Sequence, residues 1–160
     1  MDVCFTGTRE GMTLGQMGAV RELLDQARPD RVHHGCAEGA DREFHAMTVA
    51  GTRDLYPCNV EQYEWARANC AAGDVIHPIE APLVRNRQMV DKSTLIIAAP
   101  RTRVEEQRSG TWATVRYARR VKRDRLHVVL AVIGPDHHSR TYLDLSKAKR
   151  AVATAASEAK

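Results

Sequence analysis

Short apolar runs alternate with longer amphipathic segments along most of the chain. The run "DVCFT" (2–6) ends at Gly7 and reads as a strand. In "TLGQMGAVRELLDQA" (13–27) apolar residues fall at 14, 17, 20, 24 and 27, a helical period. Thr13 followed three residues later by Gln16 is a capping-box signature, and Pro29 ends the helix. "RVHH" (31–34) is a second strand, "DREFHAMTVA" (41–50) a helix stopped by Gly51, and "RDLYP" (53–57) a third strand. A short helix over 60–70, a strand over 74–78 and a helix over 82–92 with proline in its first turn come next. "TLIIAAP" (94–100) and "LHVVLAVIGP" (126–135) are continuous apolar runs, with the helical segment 109–122 between them.

Strands that alternate with helices build parallel βαβ units. Strands apolar on both sides belong to a sheet covered on both faces. The pattern predicts an α/β fold, a Rossmann-like three-layer sandwich with a mainly parallel sheet of about six strands. At 160 residues the expectation is one domain over 1–134. A C-terminal tail over 135–160 follows, whose alanine- and lysine-rich part (145–160) would pack on the domain or a partner.

Composition adds little to this. Apolar residues make up 43% and charged residues 28%, an ordinary globular balance. No apolar run approaches the length of a membrane span, and the start "MDVCFTGT" lacks the marks of a signal peptide, so the expected location is the cytoplasm. The four cysteines (Cys4, Cys36, Cys58, Cys70) form no CxxC pair. Net charge is +4, which permits a phosphate-bearing partner without requiring one. Between Arg101 and Arg125, however, nine basic residues stand against three acidic ones.

Chemistry concentrates where the predicted strands end, the edge at which ligands gather in such sheets. "GTREG" (7–11) offers Gly7, Thr8 and Arg9 but neither a P-loop nor a GxGxxG. "RSGTW" (108–112) places Ser109, Gly110 and Thr111 at a helix start, where unpaired backbone N–H groups attract anions. "LVRNRQM" (83–89) puts Arg85 and Arg87 around Asn86 near another helix start. Positive charge there costs a few tenths of a kcal/mol, about 0.3 or more, unless an anion justifies it.

"HHGCAEGADREFH" (33–45) is the densest stretch. Adjacent His33 and His34 point to opposite faces of a strand, and His45 lacks the glutamate of an HExxH, so no metal is expected. Cys36 with His34 is a possible nucleophile pair without a third member. A turn through Gly35 and Gly39, with Asp41 as helix cap or ligand contact, accounts for more of the residues; buried histidines and a simple cap need no function at all.

Taken in order, five segments resemble the SLOG superfamily, the Rossmann-like group that includes DprA-like proteins and LOG-type phosphoribohydrolases. They are "GTR" (7–9), "HGCAEGADREFH" (34–45), "RNRQMVDKS" (85–93), "SGTWATVRYA" (109–118) and "AVIG" (131–134). Of the two branches, the DprA-like members are nearer. His34 stands where that pattern has serine, and "AVIG" lacks its proline. The resemblance implies a pocket for a nucleotide or nucleotide-derived phosphorylated ligand, bound by a sensor or sequestering module of the kind used in phage or anti-phage signalling, and homo-oligomers. No cofactor is expected. It also implies two alternatives. One is N-glycosidic hydrolysis of nucleoside monophosphates, as in the LOG branch. Thr114 occupies the position of the catalytic glutamate there, so a carboxylate would have to come from Glu43, Asp41 or Glu10, with Arg85 on the phosphate. The other is single-stranded nucleic acid binding, as in DprA, with Trp112 and Tyr117 as stacking groups.

Overall fold

The first strand, β1 (Asp2–Gly7), lies in the interior of a six-stranded, all-parallel sheet. The structure, a computed structural model, describes residues 1–125 and 128–136 together with Thr154 and Ser157. From β1 the chain passes through α1 (Leu14–Ala27), β2 (Arg31–His34), α2 (Ala40–Met47), β3 (Arg53–Leu55), α3 (Val60–Asn69) and β4 (Val75–Ile76). It then returns through α4 (Pro82–Asp91) to β5 (Leu95–Ala99), α5 (Gly110–Asp124) and β6 (Val129–Val132). Strand order is β4-β3-β2-β1-β5-β6. Three strands are thus laid down on one side of β1 and two on the other. The reversal of direction falls between β1 and β5, which pair in register from Val3↔Leu95 to Gly7↔Ala99.

Side chains alternate across these strands and divide the core into layers. Val3, Phe5, Leu95 and Ile97 meet Val20, Leu23 and Phe44 of α1 and α2 on one face. Cys4, Ile96 and Ala98 meet Met89, Val90, Trp112 and Val115 of α4 and α5 on the other. The Trp112 ring is therefore interior, 2% exposed, and offers no stacking surface; Val115 and Ala118 turn inward with it.

The capping box predicted at Thr13 and Gln16 is present. Gln16 does more than cap. Its buried amide donates to the carbonyls of Pro100 (2.9 Å) and Ile133 (2.8 Å), tying the start of α1 to the ends of β5 and β6. Pro29 does not end α1 by itself: Arg28 closes it in a left-handed conformation and donates its N–H to Leu24. The helix predicted over 41–50 stops at Met47 because Thr48 is extended, and β3 and β4 are shorter than their apolar runs. Among the described residues no helix is long and apolar enough to cross a membrane. The tail expected beyond Asp136 lies outside the described residues, apart from the two single positions named above.

Candidate functional site

At the point where strand order reverses, the chain leaves β1 and β5 for helices on opposite faces of the sheet, and a crevice lies beyond the paired strand ends. A cavity of about 700 Å³ occupies it. Its walls come from the loop after β1 (Gly7, Thr8, Arg9, Glu10), from Ala37 and Asp41 after β2, and from Arg85 and Asn86 of α4. The segment after β5 closes the ring with Arg101, Glu106, Arg108 and the helix start Ser109–Gly110–Thr111. Ten residues singled out from sequence thus line one cavity: Gly7, Thr8, Arg9, Glu10, Asp41, Arg85, Asn86, Ser109, Gly110 and Thr111. Gly35, Gly39 and Glu43 do not line it.

One corner of the cavity is buried and bonded mostly to the chain itself, although Arg85 Nε has no partner there among the described residues. The Asp41 carboxylate accepts the N–H groups of Gly35 (3.0 Å) and Ala37 (3.2 Å). It is not the cap of α2; Gly39 holds that place, with Asp41 inside the first turn. Burial pushes the Asp41 carboxyl above the ordinary carboxylate range, while the Arg85 guanidinium and the backbone donors pull it back. Arg85 is itself buried and donates from Nη1 to the Tyr56 carbonyl at 2.9 Å. The unfavourable charge at the start of α4 therefore has an internal partner. The glycines here serve packing. A Cβ on Gly35 would lie 1.3 Å from Arg85 Nη1, and one on Gly39 (φ +75) 2.3 Å from the Arg9 carbonyl oxygen.

Cys36 shares this turn, with φ 59 in the left-handed region. Burial pushes its thiol up to about 12, so it stays protonated, and Sγ faces the His34 carbonyl rather than the ring. The Cys36 N–H donates to His34 Nδ1 at 3.2 Å, which leaves the ring proton on Nε2, directed at His45 Nδ1 3.0 Å away. His34 is therefore not the base of a nucleophilic pair. It is a buried neutral link from β2 to α2. His33 points to the other face, beside Tyr56 and Asp54. Glu43 reaches back to accept the Met12 N–H at 2.6 Å, so its carboxylate clamps the loop after β1 instead of facing the cavity.

The opposite corner is open. Ser109 caps α5, its hydroxyl accepting the Trp112 N–H. Thr111 donates its hydroxyl to the Gly7 carbonyl (2.9 Å), and Asn86 donates to Thr114 Oγ1 (2.8 Å), so both polar groups are held in place. The backbone N–H groups of Gly110 and Thr111 have no partner among the described residues. A Cβ on Gly110 would meet nothing within 4 Å. Exposed Arg9 and Arg108 have no carboxylate partner among the described residues. Arg101 spans the mouth, reaching Glu10 at 3.1 Å and Glu106 at 3.0 Å.

Arg101, Glu106 and Arg108 are cavity residues that motif reading passed over. Arg101 and Arg108 were visible as part of the basic surplus in 101–125, Arg108 also as the first residue of "RSGTW", and Glu106 as one of the three acidic residues there. Their signal was positional, since they occupy the segment just beyond the carboxyl end of a predicted central strand.

No family model matches the chain, and no curated protein matches it. Among solved structures it is similar to DNA processing protein A from Helicobacter pylori, a structure described for its single-stranded DNA binding mode. The two share 14% identity at a TM-score of 0.65, over 99% of this chain and 81% of that one. The chain has a DprA-like α/β fold.

Proposed function

We propose that the chain binds a nucleotide or nucleotide-derived phosphorylated ligand in the cavity between β1 and β5. One observation carries the reading: among the described residues, two unpaired N–H groups at a helix start, an unobstructed glycine and two arginines without a carboxylate partner line the same cavity. Helix dipole and orphan donors favour negative oxygens there. Each charge-assisted hydrogen bond contributes about 1.5–3 kcal/mol. Phosphate would sit on Gly110 and Thr111 with Arg9 and Arg108 as counter-charges, and Asp41 and Asn86 would face the sugar or base. Membership of the SLOG group, in its DprA-like branch, is supported by the five ordered segments and by the DprA-like fold.

Binding without turnover fits best. Asp41 is committed to two backbone donors, Glu43 is engaged with Met12, Glu10 in the cavity wall is paired with Arg101, and a threonine, Thr114, fills the position of the LOG glutamate. Single-stranded nucleic acid binding is the second reading. Fold likeness to a protein described for that property favours it, as does the basic surplus along α5. The buried Trp112 ring removes one of its two stacking groups.

The measurement is a thermal-shift panel of nucleoside mono-, di- and triphosphates, cyclic dinucleotides and inorganic phosphate, run on the wild type and on the double variant Arg9→Ala/Arg108→Ala. A ligand at 100 times its Kd should raise the midpoint by about 5–10 °C. The variant should keep the unliganded midpoint and lose most of the shift. No stabilisation by any phosphate compound would overturn the proposal. Binding of oligo-dT alone, falling steeply with salt, would replace it with the second reading.

A further inference from the structure

The outer face of α4 and α5 carries a feature that ligand binding in the cavity leaves unused. A groove of about 150 Å³ runs between the two helices, with Leu83 and Arg87 of α4 and Arg116, Tyr117 and Arg120 of α5 among its walls; it shares only Asn86 with the cavity. Leu83 in its wall is 53% exposed, and Val84, next in sequence, 43%. Arg87 and Arg120 place their guanidiniums 5.6 Å and 5.7 Å from the centroid of the Tyr117 ring. Among the described residues neither has a carboxylate partner.

We infer that this groove docks a carboxylate-bearing protein segment with an apolar anchor residue, the anchor against Leu83 and the carboxylates on Arg87 and Arg120. Charge complementarity selects the partner. A second copy would bring the same arginines against themselves, at a cost in like-charge repulsion. Nucleic acid fits less well because two guanidiniums already lie over the one aromatic ring of the groove and would compete with a stacking base, and the ring's hydroxyl donates to Asp91 at 2.9 Å. Exposed leucine and valine suit a side chain rather than a sugar–phosphate backbone. The volume accepts about one large apolar side chain. The surface already handles carboxylates of its own chain: Asp91 accepts from Tyr117, and Glu105 pairs with Arg116 at 3.1 Å and Arg119 at 2.7 Å.

The test is a displayed 12-residue peptide library selected on the 160-residue chain, with counter-selection on the double variant Arg87→Glu/Arg120→Glu. Both side chains are exposed and outside the cavity, so the variant should fold as the wild type does. The best peptide is then labelled and followed by fluorescence anisotropy against oligo-dT. The expected winners combine Asp or Glu with one Leu, Ile or Phe. Their binding should weaken at least tenfold on reversing the two arginines, and again on changing the anchor to serine, while the thermal shift by nucleotides stays unchanged. No enrichment over the variant would overturn the inference. So would enriched acidic peptides indifferent to the anchor, or oligo-dT competing for the same arginines more tightly than any peptide.

Discussion

Two corners of one cavity differ in whom they serve. The corner around Gly35, Asp41 and Arg85 is closed: the Asp41 carboxylate and Arg85 Nη1 meet other parts of the chain, only Arg85 Nε lacking a partner among the described residues, and the glycine exists because a guanidinium lies where its side chain would be. The corner around Gly110, Arg9 and Arg108 is the reverse. Its glycine has room to spare, and its donors and cations lack partners among the described residues. Residues of the same types, picked by the same motif logic, therefore divide into structural and available groups. The lesson is to ask of each glycine and arginine whether the fold itself already uses it.

The sharpest way to break this comparison is a single methyl group placed at each glycine. Gly35→Ala forces a Cβ into the Arg85 guanidinium, and moving Arg85 would strip the buried Asp41 of its counter-charge. The expected loss is about 4 kcal/mol or more, read by urea unfolding. A loss below about 1 kcal/mol would mean that Arg85 relocates freely and the closed corner is not closed.

Acid should come next in size. His34 and His45 stand directly behind this corner, and burial holds both below their ordinary value of 6.5, His34 well below it; the nearby Arg53 adds to the effect. His33 and His77, on the other face of the sheet, are lowered as well. A histidine whose folded pKa is lowered binds its proton more readily when unfolded. Stability present at neutral pH is therefore lost as pH falls from about 6.5 toward the folded values, with a slope near 1.4 kcal/mol per pH unit for each proton taken up. Urea titrations between pH 7.5 and 5 would measure it. A flat profile over that range contradicts the buried neutral pair. His45→Gln should flatten the slope in part and leave the contribution of the other histidines.

The smallest effect belongs to Gly110→Ala. Alanine favours a helix over glycine by up to about 1 kcal/mol, so the unliganded protein should be unchanged or slightly more stable. Midpoint shifts by phosphate ligands should shrink at the same time. Opposite signs of stability and binding at one residue would be the clearest mark of a position kept for a guest. Equal ligand shifts in both proteins would move the phosphate elsewhere in the cavity.

Much of this architecture was readable along the chain because it depends on local periodicity. The apolar run 94–100 could only be an inner strand, and Thr13 with Gln16 could only open a helix. The ring of loops followed from strand direction. What escaped depended on contacts between distant segments. Nothing near Gly35 announces that Arg85, fifty positions later, lies against it. Trp112 reads equally well as a stacking platform and as core until the packing of α4 and α5 is known. The basic segment 101–125 looked uniform, yet its arginines differ: Arg101 bridges two carboxylates, Arg116 and Arg119 pair with Glu105, Arg103 with Asp136, and Arg108 and Arg120 have no carboxylate partner among the described residues.

Arg101 spans the mouth of the cavity through two solvent-facing ion pairs. Links of that kind are worth less than about 1 kcal/mol and weaken further in salt. Such a bridge would delay an incoming molecule very little, so capture should proceed at a rate set by diffusion and orientation. Differences in affinity among competing ligands would then arise almost wholly from how slowly each one leaves.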